Sequence, residues 1–359
     1  MKRRKALQAL GVAVLAMSTV AATPAGLTPR QLAGQRVIYS YPGLTPPASL
    51  LQRIRAGEAA GVIFFGENVS SSQQIADVVR QLREANAQSP VHRPLLLMTD
   101  QEGGKVRRLP GEPVLSAKQV AESADPSAAA KATGTGAGQN LAGVGMNVNL
   151  APVLDVYRQP GNFIDKYGRS YSRDPQVAGA LGRDFVTAQQ ATGVAATAKH
   201  FPGLGAVPAG SNTDIGPVTL DIPLPELRAT DESPYQPVVD AGVKLVMLSW
   251  AVYPALDATR PAGLSPAVVQ ELRNGTKFSG VTVTDALEAG ALKPYGGAGN
   301  RAVLAAEAGM DLILASARDV AQGDDAASAL AAGLSNGSLP SGEFAAAVDR
   351  VSALRDGVK

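Results

Sequence analysis

The 359-residue chain carries 33 Lys and Arg against 31 Asp and Glu, a formal net charge of +2, and no cysteine. The missing cysteines exclude disulfides, thiolate metal sites, a cysteine nucleophile and a lipidated N-terminal cysteine, and the near balance of charge leaves no electrostatic footprint for nucleic acid. With 45% hydrophobic residues the chain can bury a large core.

In chain order the first element is a leader. Lys2, Arg3, Arg4 and Lys5 precede an uncharged segment from Ala6 to Ala22, and Thr23-Pro24 follows, the layout of a secretory signal peptide. The apolar segment is short and interrupted by Gln8, Ser18 and Thr19, so it reads as a removable signal and not as a membrane span. Cleavage after Ala22 leaves residues 23–359 as the exported chain, and losing the four basic residues turns its net charge from +2 to −2.

Eight short apolar or β-branched runs come next, separated by helix-like, alanine-rich sequence. They are VIYSYPG from Val37, GVIFFGEN from Gly61, LLLMTDQEGG from Leu95, MNVNLAPVLDV from Met146, VAATAKHFPG from Val194, VKLVMLSWAVYP from Val243, GVTVTDALEAG from Gly280 and DLILAS from Asp311. Near-continuous apolar strands alternating with helices imply a parallel sheet buried on both faces, and eight such units imply a single (β/α)8 TIM barrel of the α/β class. Between the runs, Ser70–Asn86 offers a serine cap and an apolar stripe at Ile75, Val78, Val79 and Leu82. Ser265 caps a second helix with Pro266 at its first position. An open doubly wound sheet is the rival, but no Gly-x-Gly-x-x-Gly follows the first strand. After the eighth run only helical material remains, which closes the barrel and leaves no second domain. A monomer is expected.

In such a barrel the active site forms at the C-terminal ends of the strands. Just past the runs lie Glu67 and Asn68, then Asp100, Gln101 and Glu102, then Asp155, Lys199 with His200, and Asp285 with Glu288. Any one of these reads as an ordinary loop charge. Together, straight after buried apolar segments, they converge on one rim, where each desolvated charge needs a reason. No metal site and no cofactor are expected, since the two histidines, His92 and His200, lie far apart and give no ligand spacing. No Gly-x-Ser-x-Gly elbow appears. Two chemistries remain open: carboxylate-catalysed glycoside hydrolysis, with a carbohydrate as the partner, and a Schiff-base lyase using Lys199.

The ordered motifs TDQEGGKVRRLPG, NLAPVLDV, GRSYSRDP, AKHFPGLG and GVTVTDALEAGAL, spanning about residues 30 to 320, resemble glycoside hydrolase family 3, in particular its single-barrel β-N-acetylhexosaminidase branch. The resemblance implies a retaining β-glycosidase in which Asp285 is the nucleophile of a covalent glycosyl-enzyme. Asp100, Arg169, Lys199 and His200, with Arg108 beside them, would hold the hydroxyls of the innermost sugar. β-Glucosidase and β-xylosidase activities of the same family, or a sugar-binding barrel with weakened turnover, are the alternatives. The sequence also departs from that branch. There the loop after KHFPG carries a glycine-histidine-glycine and then Asp-Ser-His, whose histidine is the general acid/base; here it reads GLGAVPAGSNTD. Neither histidine is present, so Asp214 is expected to supply the proton, with Glu288 and Glu102 as the other carboxylates within reach.

Overall fold

The computed structural model describes residues 26–358. The expected leader, 1–22, lies outside the described residues. Each of the eight runs contains a strand: β1 Val37–Tyr39, β2 Gly61–Ile63, β3 Leu96–Thr99, β4 Val148–Asn149, β5 Ala195–Phe201 and β6 Leu245–Leu248. An antiparallel pair, β7 Val252–Tyr253 and β8 Asp257–Pro261, follows, and then β9 Val281–Thr284 and β10 Ile313–Leu314. The main sheet runs β10-β1-β2-β3-β4-β5-β6-β9, parallel throughout. A parallel bridge between Val283 and Leu312 joins its last strand to its first, as in a (β/α)8 barrel.

Alternation along the strands sorts the apolar residues into two layers. Ile38, Ile63, Leu96, Met98, Val148, Leu245, Met247, Val281 and Leu314 form one buried cluster inside the barrel. Their neighbours Val37, Tyr39, Val62, Leu97 and Val246 pack outward in the larger cluster shared with the helices. Val351 and Leu354 of the final helix, Ser341–Gly357, join the inner cluster and close the end of the barrel away from the rim.

The expected helices form where the caps put them. Ser71 accepts a bond from the Gln74 N–H at the start of Ser72–Asn86, whose stripe Ile75, Val78, Val79 and Leu82 is buried. Ser265 does the same for Val268 at Pro266–Gly275. The sixth run differs from its expected form, because it does not continue as one strand. After Leu248 the chain turns at Ser249–Ala251, with Trp250 buried and its Nε1 donating to the Ala286 carbonyl at 2.8 Å. The Asp257 carboxylate then accepts from the Thr259 N–H, the Thr259 hydroxyl, the Arg260 N–H and the Ser265 hydroxyl, which organises the β7–β8 hairpin.

Candidate active site

A cavity of about 590 Å³ opens at the C-terminal ends of the barrel strands, and Asp100, Arg108, Arg169, Lys199, His200, Asp214 and Asp285 all line it. The chain sets these residues far apart; the barrel brings every one of them to a single rim.

Lys199 and His200 are adjacent on β5, where side chains ordinarily alternate. Lys199 pairs with Met247 and Phe201 with Leu248, so His200 has no opposite residue on β6. This irregularity lets both side chains face the cavity, as bulges beside active sites do. The peptide between them is cis.

The His200 side chain is held from behind. Its Nδ1 lies 2.7 Å from Asp155 Oδ2, while the His200 and Leu204 N–H groups donate to Asp155 Oδ1 at 3.2 and 2.7 Å. Burial alone would raise the Asp155 carboxyl, but His200 and these N–H donors bring it below the ordinary aspartate range. It is a permanent acceptor that leaves the other ring nitrogen of His200 for the cavity.

Lys199 is 2% exposed, and its Nζ sits 2.8 Å from both Asp100 Oδ1 and Glu102 Oε1. Arg169 grips Glu102 with both prongs, Nε to Oε2 at 2.9 Å and Nη2 to Oε1 at 2.7 Å, and Arg108 Nη2 reaches Asp100 Oδ2 at 3.3 Å. Three cations and two carboxylates therefore form one connected network. Burial opposes charge on Lys199, yet Asp100 and Glu102 outweigh it and raise the ammonium above the usual lysine range. Burial likewise opposes charge on Glu102, but Arg169 and Lys199 hold it far below the usual glutamate range. Glu102 is thus a fixed carboxylate and not a proton donor, which removes it from the expected alternatives. A lysine so paired is equally unsuited to Schiff-base attack, which needs the free amine.

The other carboxylates of the cavity are differently placed. Asp285 follows β9 and its Oδ1 accepts the Ala286 N–H at 2.7 Å. Glu288 takes the Ser316 hydroxyl at 2.9 and 3.1 Å and the Gln322 amide at 3.3 Å. Asp214 stands on the loop after β5 in an Asn212-centred turn: its N–H donates to Asn212 Oδ1 at 2.9 Å and its Oδ2 accepts from Asn212 Nδ2 at 3.4 Å. Among the described residues none of these three has a cation within salt-bridge distance. Asp214 is exposed at the cavity rim, and partial desolvation there, then the charge of Asp285, raise its carboxyl above the ordinary aspartate value, against His200 and Arg169. A carboxyl raised beside a second carboxylate suits the acid of an acid-and-nucleophile pair.

The family model described as glycosyl hydrolase family 3 N terminal domain matches residues 34–354. The chain belongs to glycosyl hydrolase family 3. A protein of Arthroderma benhamiae, described as an uncharacterized secreted glycosyl hydrolase, is 46% identical over 341 residues, covering 94% of this chain and 96% of the relative. A Beta-hexosaminidase of Stenotrophomonas maltophilia strain R551-3 is 35% identical over 268 residues, 71% of this chain and 75% of that one.

Among solved structures, the family 3 β-N-acetylglucosaminidase from Paenibacillus sp. str. FPU-7 superposes with a TM-score of 0.86 at 33% identity, covering 92% of this chain and 62% of its own. The β-N-acetylhexosaminidase from Beutenbergia cavernae DSM 12333 gives 0.83 at 31% identity, covering 92% and 98%. The family 3 assignment makes this chain a glycoside hydrolase, with the retaining chemistry typical of that family. No helix among the described residues is long and apolar enough to cross a membrane.

The roles of Glu102 and Asp155 escaped sequence reasoning. Both stand among the rim residues, but their partners, Arg169 and His200, lie 67 and 45 positions away, and nothing local to either residue names them.

Proposed function

We propose that this family 3 hydrolase is a secreted, retaining β-N-acetylhexosaminidase that releases terminal N-acetylglucosamine from cell-wall or chitin-derived glycans through a covalent glycosyl-Asp285 intermediate, with Asp214 as general acid/base. The observation that carries the reading is the pair of cation-free carboxyls, Asp285 and Asp214, on the same cavity as a preassembled charged clamp. The names of the Stenotrophomonas, Paenibacillus and Beutenbergia relatives support the sugar, and the leader pattern together with the secreted Arthroderma relative supports export.

In the first step a carboxylate oxygen of Asp285 attacks C1 of the sugar. The C1–O bond to the leaving group breaks, its electron pair stays on the leaving oxygen, and that oxygen takes the Asp214 proton. In the second step Asp214, now a carboxylate, takes a proton from water as the water oxygen attacks C1, which breaks the ester to Asp285 and restores both carboxyls. Two inversions give net retention. Asp100, Arg108, Arg169, Lys199 and His200 bind the ring hydroxyls, and because their charges are already paired and oriented, little reorganisation accompanies ring distortion.

A screen of nitrophenyl glycosides on the purified chain, with the anomer of the released sugar read by NMR, tests this. Preferential release from the N-acetyl-β-glucosaminide as the β-anomer is expected. Preference for the glucoside or xyloside would reassign the sugar within the family, and binding without release would identify a barrel that has lost turnover.

A further inference from the structure

The loop that carries Asp214 is not free at its tip. The Gly290 N–H donates to the Asp214 carbonyl at 2.8 Å and the Ala291 N–H donates to the Thr213 carbonyl at 2.9 Å. These two donors lie five and six positions beyond Asp285, on the same short segment. The approach is close enough to dictate the residue: a Cβ at Gly290 would stand 2.1 Å from the Ile215 carbonyl oxygen and 2.9 Å from that of Asp214. The segment is itself fixed, since Trp250 Nε1 binds the Ala286 carbonyl, Arg301 Nη1 donates to the Leu287 carbonyl and the Leu287 N–H reaches the Leu314 carbonyl at 3.1 Å.

From this geometry we infer that Gly290 and Ala291 form a clamp that seats the Asp214 loop against the Asp285 segment, making Gly290 a positioning residue for general acid/base catalysis. The inference rests on the reading of Asp214 given above. One stretch, 285–291, bears one carboxyl on its side chain and anchors the other through backbone bonds, so the separation of the two groups is set locally and not by the far ends of a thirteen-residue excursion from Gly203 to Ile215. A misplacement of about 1 Å can cost around a hundredfold in rate. The loop is pinned at Gly205 and Val207 by the Asn162 amide, and beyond the buried Val207 it passes Gly210, which has no close neighbour and a left-handed backbone, before the clamp takes hold at Thr213 and Asp214.

The test compares kcat/KM and kcat of Gly290→Ala and Ala291→Pro with the parent enzyme on the methyl and nitrophenyl N-acetyl-β-glucosaminides, with kcat measured with and without azide. The methyl glycoside needs proton donation to leave and the nitrophenyl glycoside hardly does. Gly290→Ala is expected to lose about tenfold or more on the methyl glycoside and to stay within about threefold on the nitrophenyl glycoside, with azide raising nitrophenyl turnover. Ala291→Pro, which replaces the second donor N–H by a ring Cδ facing the Thr213 carbonyl and leaves Gly290 unchanged, is expected to lose in the same sense, and it decides the matter if Gly290→Ala does not fold. Equal losses on both substrates, or none, for whichever variants fold would overturn the clamp. An Asp214→Ala control separates the two claims. If that control shows the leaving-group split and the clamp variants do not, the clamp alone is wrong; if the control shows no split, the donor assignment is wrong and the clamp falls with it.

Discussion

The two sides of the cavity handle charge in opposite ways. On the strand three to strand five side, Asp100 and Glu102 are paired with Lys199, Arg108 and Arg169 before any substrate arrives. On the other side Asp285, Asp214 and Glu288 are held by neutral donors, with no cation in salt-bridge range among the described residues. Paired charges are permanently ionised and rigid, which suits a surface that must orient hydroxyls. Cation-free carboxyls remain nucleophilic or protonatable, which suits groups that must bond to carbon or exchange a proton within each turnover.

The largest expected effect comes from the cation-free side. Asp285→Asn removes the attacking oxygen's charge while keeping its shape, and kcat should fall by several powers of ten; steady-state kinetics on the nitrophenyl substrate will show it. Loss of less than about tenfold would move the nucleophile elsewhere.

Next in size is Asp214→Ala. General acid assistance is worth about 10²- to 10⁴-fold, so kcat/KM should collapse for poor leaving groups and change little for nitrophenol, with azide restoring deglycosylation. The alkaline limb of the kcat/KM profile should also weaken, because a carboxyl raised above the ordinary aspartate value loses its proton as pH rises and the variant has no such proton to lose.

The paired side should respond differently. Lys199→Ala leaves Asp100 and Glu102 with only arginine partners and removes a hydroxyl donor, so both kcat and KM should worsen for all leaving groups alike. Each charge-assisted bond lost is worth about 1.5 to 3 kcal/mol. The melting temperature should fall as well, since a buried network has lost one of its cations. A leaving-group dependence in this variant would blur the division between the two sides.

The smallest effect lies away from the cavity, among the outer helices. Glu232 is buried and its Oε1 has no partner; burial first, then Glu271, push its carboxyl up to about 8, against Arg228 and with a contribution from Asp231. Asp231, also buried, is raised to about 7 by burial although Arg158 opposes the shift. The folded state holds these protons more tightly than the unfolded chain, so stability is full below the unfolded carboxyl range and declines as pH climbs through about 7 to 8. Glu232→Gln should therefore raise the melting temperature at pH 8 and leave it unchanged near pH 4, a difference that calorimetry at the two values measures.

The barrel was legible because its strands are buried on both faces, so each wrote a run of apolar residues into the chain, and because polar residues directly after such a run have only the rim to occupy. Lys199, His200, Asp100 and Asp285 were readable for that reason. The β7–β8 hairpin was not, since Val252 and Tyr253 continue the apolar run of β6 and the break is made by Trp250 finding Ala286, a contact across 36 positions. The pairing of Glu102 with Arg169 and the seating of Thr213 and Asp214 on Gly290 and Ala291 were equally hidden, because backbone bonds and ion pairs between distant segments leave no periodic trace. The Gly290 position carries the one local signal, a glycine where the added methyl has nowhere to go.

The most direct measurement is covalent trapping. An activated 5-fluoro N-acetylglucosaminide, which keeps the 2-acetamido group, forms the glycosyl-enzyme faster than water releases it, and peptide mass spectrometry then names the residue that carries the sugar. The label is expected on Asp285, with inactivation slowed by competing N-acetylglucosamine. A label on Asp214, Glu288 or Asp100, or continued turnover of substrate with no covalent adduct at all, would contradict the division of the cavity into a paired clamp and a reacting pair.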